Sequence, residues 1–115
     1  MRYKFLLATA ALAMTFHGSA NAAPVDDYTE LREEIWQYTL DESPMTATSV
    51  GDRRGDGKLG DNSLAAYDSY VAESRAFLVR LNAIETADLP QDMAVDYAIL
   101  KRSLEDAIAE SAFDH

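Results

Sequence analysis

The chain has no cysteine and only two histidines among its 115 residues. Without cysteine there is no disulfide and no thiolate metal site. The histidines stand at His17, inside an N-terminal apolar segment, and at His115, the last residue given. A His-Glu-x-x-His zinc helix or a Ser-His-Asp triad therefore has no pair of imidazoles to draw on. There is no Gly-rich phosphate loop followed by Lys-Ser or Lys-Thr. No stretch alternates apolar and polar residues far enough to read as a strand. Proline occurs only at Pro24, Pro44 and Pro90, and four of the five glycines crowd into residues 51–60. Positive charge is scarce too: 10 Lys and Arg stand against 20 Asp and Glu, a net charge of −10. Such a surface repels nucleic acid and anionic lipid and keeps a protein in solution.

What is present begins with a leader. Arg2 and Lys4 give a short positive start, Phe5 to Phe16 is apolar, and His17-Gly18-Ser19 breaks the run. Ala20-Asn21-Ala22 then supplies a small-x-small cleavage pattern. This reads as a secretory signal peptide over residues 1–22, cut between Ala22 and Ala23. As a membrane anchor the apolar run is too short, since twelve residues make about 18 Å of helix against a hydrocarbon core of roughly 30 Å. With no cysteine near the cut, a lipoprotein anchor is excluded. The expectation is an exported protein, periplasmic or secreted, with no stable membrane insertion after cleavage. Residues 23–115 then carry a net charge of −12, because the leader takes Arg2 and Lys4 with it.

The remaining residues read as all-α, with three antiparallel amphipathic helices after the N-terminal signal helix. The first spans about 26–41, with Asp26 or Asp27 as its cap. Tyr28, Leu31, Ile35 and Tyr38 recur at helical steps, and Trp36 and Leu40 widen the apolar face. Pro44 ends it, because Ser43 is pushed out of helical geometry. The second spans about 64–84 with Ser63 as N-cap. Its buried stripe is expected at Leu64, Tyr67, Val71, Leu78 and Leu81, with Phe77 and Ile84 alongside. Pro90 suits the first turn of a third helix, about 90–112, with Met93, Tyr97, Leu100, Leu104 and Ile108 on its inner face. The short connection at 86–89 makes the second and third helices neighbours. Ala109 to Phe113 holds neither Gly nor Pro, so this helix has no stop signal and reads as interrupted.

Between the first two helices, residues 51–62 read as a loop. Asp52 to Ser63 has the length of an EF-hand, with Asp52, Asp56 and Gly57 at matching places. Arg54 at the third position and Ser63 at the twelfth do not suit calcium. A solvated loop is the better account. Arg54-Gly55-Asp56 spells an adhesion tripeptide, a match short enough to arise by chance. The acidic pairs Asp26-Asp27, Glu33-Glu34 and Glu105-Asp106 point about 100° apart on a helix and do not face each other. No catalytic residue, metal ligand or cofactor site is assigned from these patterns.

Trp36, Glu42-Ser43-Pro44, the Ala47-Thr48 pair and Gly51-Asp52-Arg53-Arg54 come in an order that resembles a bacterial family called domain of unknown function 885. Asp61-Asn62-Ser63, Arg80-Leu81-Asn82-Ala83-Ile84 and Asp96 to Leu100 continue the resemblance, which covers nearly all of residues 26–115. Leu89 departs from it, standing where the family often has a capping Ser; that weakens the helix start by about 1 kcal/mol unless Asp88 substitutes. The family's members are several times longer and look like helical zinc metallopeptidases, with a His-Glu-x-x-Pro-Gly-His signature far downstream. Nothing here matches that signature, so zinc is implied for the full-length family and not for this chain.

The resemblance implies an N-terminal helical segment, part of a larger zincin-like fold, with the remainder of the parent protein as its partner. It also implies a wall or lid over a cleft, with the loop at Gly51, Asp52 and Arg54 facing substrate. The alternative for that loop is structural, with Asp52 capping or pairing with an Arg. For the whole chain, the leading expectation is an exported, inactive fragment of a metallopeptidase-like protein. The rival is a complete small periplasmic helical interaction module.

Overall fold

The computed structural model of the protein describes residues 22–113. The expected signal helix, residues 1–21, lies outside the described residues, and the bond between Ala22 and Ala23 sits at their edge. The described residues are all-α: α1 spans Ala22–Glu42, α2 Pro44–Ser49, α3 Leu64–Asn82 and α4 Gln91–Ser111. Single 3-10 turns occur at Arg53–Gly55 and Thr86–Asp88. No described helix is long and apolar enough to cross a membrane.

α1, α3 and α4 form an antiparallel three-helix arrangement. Their core gathers Tyr28, Leu31 and Ile35 from α1, Phe77 and Leu81 from α3, and Tyr97 and Leu104 from α4. Leu31 and Leu81 are almost fully enclosed, at 2 % and 0 % exposure. Burying a leucine removes its apolar surface from water, worth about 1.5–3 kcal/mol each. Aromatic rings lock two of the seams. Tyr28 and Tyr97 tilt together with centroids 5.8 Å apart. Tyr38 meets Phe77 edge to face at 5.5 Å, an arrangement the ring quadrupoles favour. Deep in the core the Tyr97 hydroxyl donates to the Leu81 carbonyl at 2.9 Å. That bond joins α3 to α4 near their connection, as a short antiparallel hairpin requires.

Four local features differ from the sequence expectation, each for a physical reason. α1 is already helical at Ala22, upstream of Asp26 and Asp27, so neither caps it. Pro44 ends α1 but also opens a short further helix, α2, so the described residues hold one α-helix more than the three expected after residue 22. Its fixed φ and missing N–H suit a first helical position. Leu64 at the head of α3 is 74 % exposed and does not join the stripe. Val71, Phe77 and Leu81 are buried as expected, and Ser74 joins them. Ser74 tolerates burial because its hydroxyl donates to the Tyr70 carbonyl at 2.8 Å. Finally, Pro90 is the N-cap of α4, not part of its first turn, and no side chain caps that end. Leu89 is buried in the core, which accounts for an apolar residue in place of a capping one.

One helix start follows the reading closely. Ser63 caps α3, its hydroxyl accepting from the Ala66 N–H at 3.1 Å. Asp61 in turn accepts from the Ser63 N–H at 2.9 Å, which holds its carboxyl below the usual carboxylate range.

Candidate functional site

The residues singled out in the loop come together around one guanidinium. The chain leaves α2 through Gly51, whose φ of +82° is open to glycine and strained for other residues. The Asp52 N–H then returns to the Ala47 carbonyl at 2.8 Å, which turns the loop back toward α2. Asp52 caps the 3-10 turn: its Oδ1 accepts from the Arg54 N–H at 2.9 Å and from Arg54 Nε at 3.0 Å. Arg54 extends toward α1, where Nη1 donates to Asp41 Oδ1 at 3.0 Å and Nη2 to Gln37 Oε1 at 2.7 Å. Gln37 and Asp41 stand four residues apart and therefore share a face of α1.

One arginine thus ties the loop to the last turns of α1. Its three anchors present oxygen to a planar fork of fixed geometry, which a lysine ammonium does not reproduce. The Arg54 N–H and side chain hold the Asp52 carboxyl below its ordinary range, and Asp52 raises the guanidinium in return.

Gly55 completes this clasp. It is buried, and a Cβ built on it would lie 2.2 Å from the Pro44 carbonyl oxygen. Only glycine lets the 3-10 turn rest against the start of α2. Pro44 and Ala47 are buried beside it, so the clasp has a small apolar floor. Around the rim, the Ser43 and Thr46 hydroxyls meet at 2.7 Å and Thr48 donates to Asp56 Oδ1 at 3.2 Å. Asp52 and Arg54 are partly buried and Arg54 is turned to α1, while Gly51 and Arg53 are exposed. The structural alternative for the loop, Asp52 capping and pairing with an Arg, describes these contacts.

A second polar cluster lies at the other end of α1. Tyr28 donates to Asp96 Oδ2, the same oxygen that accepts from Arg32 Nε at 2.9 Å. Arg32 Nη2 reaches Asp96 Oδ1 at 3.4 Å. Tyr28 and Arg32 are again four apart on α1. Their bonds hold the Asp96 carboxyl below the usual range, with the tyrosine hydroxyl the largest cause. Burial first, then Asp96 itself, pushes the Tyr28 hydroxyl well above its ordinary value. Between the two clusters, Arg80 of α3 grips Glu34 of α1 through two bonds of 2.5 and 2.9 Å. All three arrangements join helices or turns, and each carboxylate is already matched by a cation or an N–H.

Sequence reasoning found Asp52, Arg54 and Asp96 as motif members and allowed Asp52 to cap or pair with an Arg, but it did not reach their partners on α1. The periodicity places Tyr28 on the buried stripe of the first helix and gives Gln37, Asp41 and Arg32 no partner. The four-residue spacing within each pair was the available signal. Among the described residues there is no group of three or more His, Asp or Glu placed to hold a metal. A shallow groove between the end of α1 and the start of α3 is lined by Glu42, Asp61, Ser63, Tyr67 and Tyr70, and is open to solvent.

Residues 44–114 match the family described as a bacterial protein of unknown function, DUF885. No curated protein and no solved structure matches the chain. The match begins at Pro44, so the clasp loop, α3 and α4 fall within it, while Trp36 and the α1 anchors Gln37 and Asp41 precede it. Since it covers more than half of the sequence, the chain belongs to the DUF885 family.

Proposed function

From that membership we propose that the chain is the exported N-terminal helical segment of a metallopeptidase-like protein and has no catalytic activity of its own. The observation that carries this reading is the family match over residues 44–114. Support for export comes from Arg2, Lys4, the apolar run Phe5 to Phe16 and Ala20-Asn21-Ala22, which mark residues 1–22 as a signal peptide cut before Ala23. Support for a supporting role comes from the polar clusters, whose carboxylates are all engaged in joining elements.

In this reading α3 and α4 form a wall of the parent's cleft. Val79 on α3, and Val95 and Ile99 on α4, are exposed apolar side chains available to the remainder of the parent. The Gly51–Arg54 loop is a shaped edge of that wall. Arg54 is a positioning residue for it, and Gly51 and Arg53 are the parts open to a substrate.

Zinc belongs to the full-length family in this proposal and not to the chain. Zinc catalysis needs about three protein ligands and an open position for water. Isothermal titration of residues 23–115 with zinc, beside a peptidase assay on mixed peptides, tests the proposal. The expected result is weak, salt-sensitive divalent binding without metal preference, and no cleavage. Stoichiometric submicromolar zinc, or chelator-sensitive cleavage, contradicts it. Intact mass of the exported material tests the leader; retention of Met1 in membrane-bound protein contradicts that part.

A further inference from the structure

The segment between the clasp and α3 is built differently from the rest of the chain. Residues 56–63 are all exposed, and none of them lies in an α-helix. Gly57 has a φ of +72°, and a Cβ on Gly57 or Gly60 would meet nothing within 4 Å. Leu59 is 95 % exposed, a large apolar side chain with no packing partner. The Lys58 N–H bonds the Gly55 carbonyl at 3.1 Å, and no described ion pair engages its ammonium.

We propose that the Lys58–Leu59 bond is a cleavage site for trypsin-like serine proteases, and that the nicked protein persists as a two-chain complex. Such proteases bind their substrate in an extended form, so a helix must first unravel locally to be cut. The other basic residues are poorly placed for that. Arg32 lies in α1, Arg75 and Arg80 in α3, and Lys101 and Arg102 in α4. Arg53 and Arg54 lie in the 3-10 turn, and the next residue, Gly55, is buried against Pro44. Among the described residues, Lys58 alone is basic, exposed and flanked on both sides by exposed irregular chain. Cleavage adds water across the peptide bond: the Lys58 carbonyl becomes a carboxylate and Leu59 gains a free ammonium.

The loop contacts survive the cut because no described hydrogen bond within residues 51–63 crosses the Lys58–Leu59 bond. Arg54 with Asp52, Asp41 and Gln37, and Thr48 with Asp56, all belong to the first piece. Asp61 and the Ser63 cap belong to the second. What joins the pieces is the core and its bridges: Tyr28 and Arg32 with Asp96, Glu34 with Arg80, and Tyr38 against Phe77.

The test is a time course of the full chain with trypsin at low ratio, read by mass spectrometry and size-exclusion chromatography, scoring cuts after residue 22. The first cut is expected after Lys58, with both pieces co-eluting at micromolar concentration and helical circular dichroism unchanged. Lys58→Gln is expected to remove that cut, slowing loss of the intact 23–115 region at least tenfold, with thermal stability unaltered. A first cut at any other residue, or equal digestion of Lys58→Gln, overturns the site. Separation of the pieces overturns the two-chain complex.

Discussion

The three-helix core and the loop clasp hold together by opposite means. In the core, Leu31, Ile35, Phe77, Leu81 and Leu104 leave water together, and many substitutions of similar size would still fill the space. In the clasp, one guanidinium meets Asp52, Asp41 and Gln37, and one glycine rests on the Pro44 carbonyl. There the chemistry admits few alternatives. Apolar burial therefore sets the stability of the helices, while directional bonds and one backbone approach set the shape of the loop. The Gly-Asp-x-Arg motif sits in the second kind of region. A motif residue there is explained by what it positions before any ligand is invoked.

Substitutions separate the two regions, and the largest effect is expected in the core. Leu81→Ala should cost about 2–5 kcal/mol in chemical denaturation, the transfer loss plus the cavity left behind. A cost below about 1 kcal/mol would mean that α3 does not bury the face described. Gly55→Ala comes next. The added Cβ meets backbone, so overpacking of about 1–3 kcal/mol is expected, limited to the clasp's own stability because the clasp can open locally. The same variant should leave the near-ultraviolet signal of the core tyrosines unchanged. Tyr97→Phe is smaller, about 1 kcal/mol, since it removes one buried hydrogen bond to the Leu81 carbonyl and keeps the ring.

Acid has a weaker effect, and its sign follows from the bonds. Glu34, Asp52, Asp61 and Asp96 all hold their protons less tightly in the fold than in the unfolded chain. Their stabilisation is fully present above the ordinary carboxylate values of about 4 and is lost as pH falls through the lowered ones. Thermal denaturation from pH 7 down to pH 2 should show a flat region, then a decline below about pH 4. At the other limit, burial raises Tyr28, Tyr38 and Tyr97. Stability from these groups is present below about 10 and falls as pH rises beyond it.

The core was more legible in the sequence than the clasp. Tyr28, Leu31 and Ile35, like Tyr97 and Leu104, recur at helical steps, and that period alone identifies a buried face. Ser63 could be read as a cap because its chemistry is local. Leu64 misled because an apolar residue in the first turn has no helix opposite it. Pro44 misled because proline both ends one helix and opens the next. The clasp was legible only as a string of residues. Arg54 reaches partners 13 and 17 positions away, and no periodicity connects those positions. Gly55 looked like one loop glycine among several until the Pro44 carbonyl was placed against it.

The most direct measurement is native-state hydrogen exchange on the wild-type chain and on Arg54→Ala. The clasp account predicts that the Asp52, Arg54 and Asp56 amides, which bond Ala47, Asp52 and Arg53 in the folded chain, lose protection in the variant. Amides around Leu81 and Leu104 should keep theirs. Equal loss across the loop and the three helices would contradict the separation of clasp from core. Unchanged protection of the loop would show that Arg54 does not hold it.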